Sequence, residues 1–221
     1  MEDSSESSFF LYINIMPFPT TNATQELPAL NQILSSCGQA PVTTLDTTNP
    51  DVAIAYDTLL QVSREVQSEG WTFNKEYHYE MTPDTDDFIL IPNNILQIKL
   101  TENSANMDKS AIRRSGKLYD RQNHTYKWTD ETVECDIVWE FDWVDLPQPI
   151  QDFVTARAAT LVSQRIVGHT EQYQMLQQQE AFARAMALEY ETQQGQFTFF
   201  GHPQGQQNYY QSYQPFHALK R

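Results

Sequence analysis

The sequence predicts an α+β protein made of a four-helix bundle from both ends of the chain, an inserted antiparallel β domain and an extended C-terminal arm. Apolar residues recur at helical spacing near both ends, and they alternate with polar residues in the middle. The last residues are rich in glutamine and aromatic side chains and have no period. We expect a flexible N-terminal extension at 1–26, the bundle at 27–70 and 146–195, the β domain at 71–145 and the arm at 196–221.

Size and composition are those of a protein with a buried core. The chain has 221 residues, of which 40% are apolar, enough for one domain or two small ones. Two cysteines are too few for a disulfide scaffold or, alone, for a structural zinc site, which favours folding in a reducing compartment. The longest apolar run, residues 9–18, is half of the roughly 20 residues that span a bilayer and follows no positive charge. We therefore expect neither a membrane span nor a secretory signal.

The charge is strongly acidic. Twenty-nine acidic residues against fourteen basic ones give a formal net charge of −15. Phosphates would repel such a chain, so a free-standing binder of duplex DNA is disfavoured. The same charge suits a surface past which DNA slides without adhering.

Two helices are predicted before residue 70. Residues 2–8 are too polar to fold alone, and residues 9–18 fit either an added strand or a hydrophobic latch. A first helix follows from Leu27 to its end at Gly38, with one apolar face of Leu27, Leu30, Leu34 and Cys37. A second helix has Asn49 as its N-cap and Pro50 at its first position, and it ends before Gly70.

The middle of the chain has the alternation of β-strands. We expect Trp71, Phe73, Tyr77, Tyr79 and Met81 to form the buried face of a first strand. Further strand-like runs are 88–91, 95–100 and 117–128, the last one entered through a turn at Ser115-Gly116. The clearest strand alternates Val133, Cys135, Ile137, Trp139 and Phe141 with acidic residues, which predicts an antiparallel unit.

Two more helices are predicted after Leu146-Pro147. The third carries Ile150, Phe153, Val154, Ala158, Leu161 and Val162 on its apolar side and ends at Gly168. The fourth runs from Thr170 to Gly195, and its apolar residues are Met175, Leu176, Phe182, Ala183, Met186, Ala187 and Tyr190. Four glycines thus lie where four helices end.

The reactive side chains give weak signals for chemistry. The five histidines have no metal-ligand spacing, and we place His78 on a solvated strand face. Cys37 and Cys135 fall on apolar faces, where thiols are protonated and inert. Glu134 and Asp136 share a strand face and are compatible with a retaining glycosidase, which needs two carboxylates about 5 Å apart. A half-exposed acidic strand is the favoured interpretation, so we expect no catalytic residues, metal or cofactor.

A basic hairpin opposes the overall charge. Six of the fourteen basic residues fall within nineteen positions, from Lys109 to Lys127. We select Arg113, Arg114, Lys117 and Arg121 as contacts to a neighbouring protein, with nucleic acid as the alternative. A solvated ribbon that uses Asp108 and Asp120 as internal partners also fits.

The C-terminal segment contains a dense set of aromatic residues. We expect these residues to dock onto a partner, because aromatic side chains are favoured interface anchors. A flexible prion-like tail is the competing interpretation. The residues are Phe197, Phe199, Phe200, Tyr209, Tyr210, Tyr213 and Phe216.

Several stretches together resemble tail tubular protein A, the adaptor family of short-tailed bacteriophages. Their order and spacing cover residues 27 to 195, while residues 1–26 and the long Gln-rich tail depart from the family pattern. The stretches are Leu30-Asn31-Gln32-Ile33-Leu34, Gly38-Gln39-Ala40-Pro41-Val42 with Leu45, Gly70-Trp71-Thr72-Phe73-Asn74, Gly116-Lys117-Leu118-Tyr119-Asp120-Arg121 and Leu146-Pro147.

The resemblance implies a twelve-subunit ring between the portal protein and the tail nozzle, a tail tubular protein B-like protein. It also implies a central channel for the viral double-stranded DNA, a C-terminal arm that reaches onto the portal, and tail fibres attached near the nozzle junction. Such a protein is made in the host cytoplasm and resides in the virion tail.

The function predicted from the sequence is therefore a non-enzymatic virion adaptor. The alternative from another class is a glycan-degrading virion hydrolase that uses Glu134 and Asp136. Nucleic-acid binding through Arg113 and Arg114 is a third hypothesis.

Overall fold

The computed structural model describes residues 23–101, 109–129 and 132–195. The N-terminal apolar run at 9–18 and the aromatic residues of the arm lie outside the described residues, so the predictions made for them stay predictions.

Four α-helices and two antiparallel sheets make up the described fold, which confirms the α+β class. The helices are α1 (Ala23–Ser36), α2 (Pro50–Gln67), α3 (Gln148–Ile166) and α4 (Thr170–Gly195), with a 3₁₀ turn (Trp143–Asp145) before α3. None of the described helices has a stretch of membrane-spanning length and hydropathy.

Local signals set the helix ends as the sequence predicts. Asn49 caps α2, because its side-chain oxygen accepts a hydrogen bond from the backbone N of Asp51 at 3.0 Å. Gly38 follows α1 at a φ of +75°, a conformation that glycine adopts without strain. One boundary differs from the prediction: α1 begins at Ala23, four residues before Leu27, and Glu26 is already buried.

Three helices supply most of the helical core. Leu30 and Leu34 of α1, Leu59 of α2 and Phe153 and Val162 of α3 are buried together, which removes their apolar surface from water. The predicted packing of all four helices around one core is not confirmed. The last helix, α4, packs along α3 and adds Ala187 as its buried apolar side chain.

The strands form a three-stranded sheet and a separate hairpin. They are β1 (Lys75–Met81), β2 (Ile95–Leu100), β3 (Ala111–Arg114), β4 (Lys117–Asp120) and β5 (Val133–Trp139). The sheet order is β1-β5-β2, and β3 pairs with β4 through the predicted turn at Ser115-Gly116. Two predicted strands are shorter than expected. The 88–91 run makes only isolated pairings, and the 117–128 run turns after Asp120.

The β unit has its own core, but β1 is less buried than its pattern predicts. Cys135 and Ile137 of β5 are buried with Leu118 and Trp128. The predicted burial of Tyr77 and Tyr79 is wrong, because these side chains are 44% and 39% exposed. The physical reason is that β1 is an edge strand whose pairing with β5 is interrupted by a bulge between Glu76 and Tyr79.

Buried amides join the helical unit to the β unit. Asn74 donates from Nδ2 to the carbonyl oxygens of Gln67 and Trp139, at 2.8 and 2.9 Å. Gln67 donates to the carbonyl of Phe141 at 3.1 Å and accepts from its backbone N at 2.7 Å. Because buried polar groups are costly when unpaired, these bonds fix the junction between the two units.

Candidate functional site

An apolar groove runs between α4, α1 and α3. Its volume is about 800 Å³. Phe182 is 70% exposed and Met175 is 65% exposed, and Met186 lies beside them. The sequence predicts these residues on a packed bundle face, and that expectation is wrong for the described chain, because these side chains line the groove and stay largely exposed. Large apolar side chains grouped on a surface mark a binding site.

Polar contacts on one side of α4 help to attach it to the rest of the fold, beside the packing of Ala187 in the core. Arg184 Nη2 lies 3.3 Å from Glu69 Oε2, and the guanidinium carbon of Arg184 is 5.5 Å from the centre of the Phe153 ring. Glu191 accepts hydrogen bonds from the backbone N of Thr72 at 2.9 and 3.1 Å. This attachment leaves the opposite, apolar face of α4 open.

The basic residues singled out from the sequence lie together on the β3–β4 hairpin. Arg113 donates to the carbonyl of Ile95 at 2.8 Å and Arg121 donates to Ser110 Oγ at 2.6 Å. The other two basic side chains lie over aromatic rings. Arg114 Cζ is 4.2 Å from the centre of the Tyr119 ring, and Lys117 Nζ is 3.5 Å from the centre of the Phe88 ring. Within the described residues no ion pair involves any of these four cations.

The solvated-ribbon interpretation requires the Asp120 carboxylate to pair with the basic residues of the hairpin, but it pairs with other groups. This carboxylate accepts from the backbone N of Gln122 and from Asn123 Nδ2, both at 2.8 Å. Burial raises the pKa of Asp120, but these hydrogen bonds outweigh it and the pKa is lowered. Asp120 therefore stabilises the turn after β4, and Asp108 lies outside the described residues.

The acidic pair considered for hydrolysis lies on β5 beside His78, which is exposed as expected. Asp136 Oδ1 accepts from the backbone N of His78 at 3.2 Å and from Thr101 Oγ1 at 2.8 Å. Glu134 Oε2 lies 3.1 Å from His78 Nδ1. Because His78 has a φ of +56° at the bulge, both carboxylates help to hold a strained segment of β1 against β5.

The thiols and the metal-ligating residues suggest no reactive centre in the described ranges. Burial, followed by the nearby Asp136 charge, raises the pKa of Cys135 to about 12, and burial also raises the pKa of Cys37. Both are therefore thiols at neutral pH, as the sequence predicts. Across residues 23–101, 109–129 and 132–195, no three His, Cys, Asp or Glu side chains are placed to hold a metal ion.

Sequence reasoning missed the exposed state of the α4 face and the tie between Gln67 and Asn74. A signal for the first was present, since α4 has seven glutamines, against three in α3 and two each in α1 and α2. Nothing local marks the second, because Gln67 and Asn74 also bond to Phe141 and Trp139, which are 74 and 65 positions away from them.

A solvent-exposed apolar groove and a hairpin of uncompensated cations on an acidic chain are features of a protein that binds other proteins. The class is therefore that of a subunit of a larger assembly. Residues 27–197 match the model of the tail tubular protein family, and the chain belongs to that family. The resemblance found in the sequence is thereby confirmed.

A curated relative supports the same conclusion. The chain is 29% identical over 164 residues to tail tubular protein A of Klebsiella phage KP34. The alignment covers 74% of this chain and 85% of that protein. This chain is therefore a structural protein of a bacteriophage tail, and it works in a complex with other tail proteins.

Proposed function

We propose that this protein is a non-enzymatic adaptor whose subunits form a ring of about twelve between the portal protein and a tail tubular protein B-like nozzle. The ring forms part of the channel through which the viral DNA leaves, and tail fibres attach near its junction with the nozzle. Membership of the tail tubular family supports this role. No cofactor takes part.

The observation that carries the proposal is the exposed apolar face of α4. An α-helix of 26 residues is about 39 Å long, and α4 is covered along one side only. In the ring, a helix of the neighbouring subunit covers Met175, Phe182 and Met186 and completes a four-helix arrangement between subunits. Such a contact joins two different surfaces of the same chain and closes into a ring when the rotation per subunit divides the circle.

The net charge of −15 supports passage of DNA. A channel bordered by carboxylates repels phosphates, so the genome crosses it without adhering. Duplex binding by the purified protein is expected to be weak and to change little with salt concentration. A steep decrease of affinity with salt would instead favour nucleic-acid binding through Arg113 and Arg114.

Replacing Phe182 and Met186 with Ser tests the groove. We expect the double variant to keep its circular dichroism spectrum and to lose ring formation in negative-stain images. The matched control is Val144→Ser with Val167→Ser, since these side chains are also exposed but lie outside the groove. Rings formed equally well by both variants would contradict the proposal.

Deleting residues 196–221 tests the proposed arm. We expect the shortened protein to keep its fold and its ring and to lose binding to the portal, because the aromatic residues from Phe197 to Phe216 supply that contact. Pull-down with the portal protein measures this, and unchanged binding would refute the role of the arm.

The convergence of Glu134 and Asp136 on His78 favours one second candidate, a hydrolase acting on host glycan. Incubation of the protein with capsular or cell-wall glycan, with Glu134→Gln and Asp136→Asn as the paired control, separates the two functions. Turnover that disappears in the amide variant would favour the hydrolase.

A further inference from the structure

Two surfaces of the β unit carry opposite charges. The first is the basic hairpin, defined here as residues 111–121, which are β3, β4, their shared turn and Arg121. The second is the acidic edge, defined as the outer side of β1 with the exposed residues Glu76, Tyr77, Tyr79 and Glu80.

The basic hairpin presents cations that are already held in place. Neutral groups bind Arg113 and Arg121, and aromatic rings support Arg114 and Lys117. Such contacts restrict the side chains without cancelling their charge. A partner therefore meets a preorganised positive surface and loses little side-chain entropy on binding it.

The acidic edge has no second strand beside it in the described fold. β1 pairs with β5 on one side only, so its outer backbone groups are open, and Tyr77 and Tyr79 are 44% and 39% exposed. Glu76 accepts a hydrogen bond from Trp139 Nε1 at 2.9 Å, a contact that leaves its charge uncompensated. Lys75, the cation of this strand, lies 4.7 Å from the centre of the Tyr77 ring. Charged side chains and a bulge on an edge strand discourage pairing with another strand, so a partner recognises this edge through its side chains.

The two surfaces are associated with different edge strands of the sheet. Its order is β1-β5-β2, and β3 contacts β2 through the bond from Arg113 to the carbonyl of Ile95. The hairpin therefore contacts one edge strand, and the acidic edge is the other edge strand. Two different and complementary surfaces on one chain suit head-to-tail association.

We propose that the basic hairpin of one subunit binds the acidic edge of the next copy of this chain. The inference rests on the proposed ring and identifies the contact that sets its direction. Arg114 and Lys117 of one copy approach Glu76 and Glu80 of the next. Opposite charges raise the association rate and favour one orientation, while like charges placed together cost several kcal/mol.

Charge reversal on each surface tests the pairing. One variant carries Glu76→Lys and Glu80→Lys, and the other carries Arg114→Glu and Lys117→Glu. Each alone places like charges together, so we expect self-association in sedimentation velocity to weaken by about tenfold or more. In an equal mixture the two variants alternate, so every contact between them again joins opposite charges, and the mixture is expected to recover the wild-type assembly.

Two controls keep the result specific. Asp46→Lys with Asp57→Lys makes the same change of net charge as the Glu76 and Glu80 variant, at exposed positions before and within α2, and it should assemble normally. If Lys117→Glu disturbs the fold by circular dichroism, Arg114→Glu with the exposed Lys127→Glu replaces it.

The outcomes separate the inference from the proposed function. Loss in both single-surface variants with recovery in their mixture is the expected result. Rings formed by either variant alone, or no recovery in the mixture, would overturn the pairing and leave the ring proposal in place. Normal rings that fail to bind the nozzle would assign the hairpin to the nozzle and also overturn it. A wild-type protein that does not self-associate would overturn both.

Discussion

The helices α3 and α4 follow one another in the chain, yet they have opposite environments. Nine residues of α3 are buried, whereas only Ala187 and Gly195 of the longer α4 are buried. The apolar residues of α3 pack against α1, α2 and α4, while several of those of α4 face solvent. This difference indicates that α3, the inner helix, stabilises the fold, and that α4, the outer helix, leaves apolar surface exposed for a partner.

The polar contacts of α4 lie on the side away from its exposed apolar face. Ion pairs and hydrogen bonds hold it in position without covering the apolar face that faces solvent. A helix held in this way exchanges its amide hydrogens more easily than one in the core. We therefore expect α4 to be the least protected of the four helices.

Phe153→Ala should have the largest effect on stability. Phe153 is fully buried at the centre of α3, and removing such a ring costs about 3 to 5 kcal/mol in lost transfer free energy and cavity formation. Urea unfolding measures the change. A loss below about 1 kcal/mol would mean that α3 is not the centre of the core.

Glu26→Gln should stabilise the protein at neutral pH. Burial raises the pKa of Glu26, a hydrogen bond with Tyr56 lowers it, and the charge of Asp142 raises it; the net shift is upward. The folded state therefore holds its proton more tightly than the unfolded state. The contribution of Glu26 to stability is therefore greatest at acid pH and decreases as the pH rises from the ordinary pKa of a glutamic acid to the raised one.

The measurement is the melting temperature of both proteins from pH 4 to pH 8. The variant should melt at a higher temperature near neutral pH, and the difference should shrink toward acid pH. Glu140→Gln is the control, because burial also raises the pKa of Glu140 but its carboxylate lies 3.6 Å from Arg64. That variant loses an ion pair and should gain less stability. A constant difference at all pH values would contradict the assignment to Glu26.

Arg184→Ala with Glu191→Ala should loosen α4 and leave the core intact. Exposed ion pairs contribute about 0.2 to 1 kcal/mol, so the free energy of global unfolding should decrease only slightly. Hydrogen exchange should become faster in α4 and stay unchanged in α3. Arg165→Ala, which removes a bond from α3 to Thr58 Oγ1, is the matched control and should not affect α4. Equal exchange in α4 for all three proteins would show that apolar contacts alone hold the helix.

Phe182→Ala should have the smallest effect on stability, within about 0.5 kcal/mol, because the ring is largely exposed already. Urea unfolding of this variant beside Phe153→Ala compares the same substitution on the two helices. A stability loss as large as that of Phe153→Ala would show that Phe182 belongs to the fold and not to a partner surface.

Much of the fold follows from local patterns. The N-cap at Asn49, the turn at Ser115-Gly116 and the alternation from Val133 to Ile137 depend on neighbouring residues, so the sequence predicts them correctly. The exposure of Tyr77 and Tyr79 could not be predicted, because a period of two shows that a strand has two faces but not whether another element covers either one.

The basic hairpin is likewise only partly predictable from the sequence. The basic hairpin is visible in the sequence because its charges are close along the chain. Whether Asp120 neutralises it depends on the turn that captures the Asp120 carboxylate, and that is known only from the structure.

The sequence by itself determined the α+β class, the order of the helices and strands, the acidic charge and the resemblance to tail tubular proteins, since each depends on composition or on residues within a few positions of one another. The tertiary structure alone decided that α3 is central, that α4 presents an open groove, and that the basic hairpin contacts one edge strand of the sheet while the acidic edge is the other edge strand. The physical reason is that burial depends on which distant segments meet, and a helical period is the same whether the apolar face meets the chain's own core or a partner.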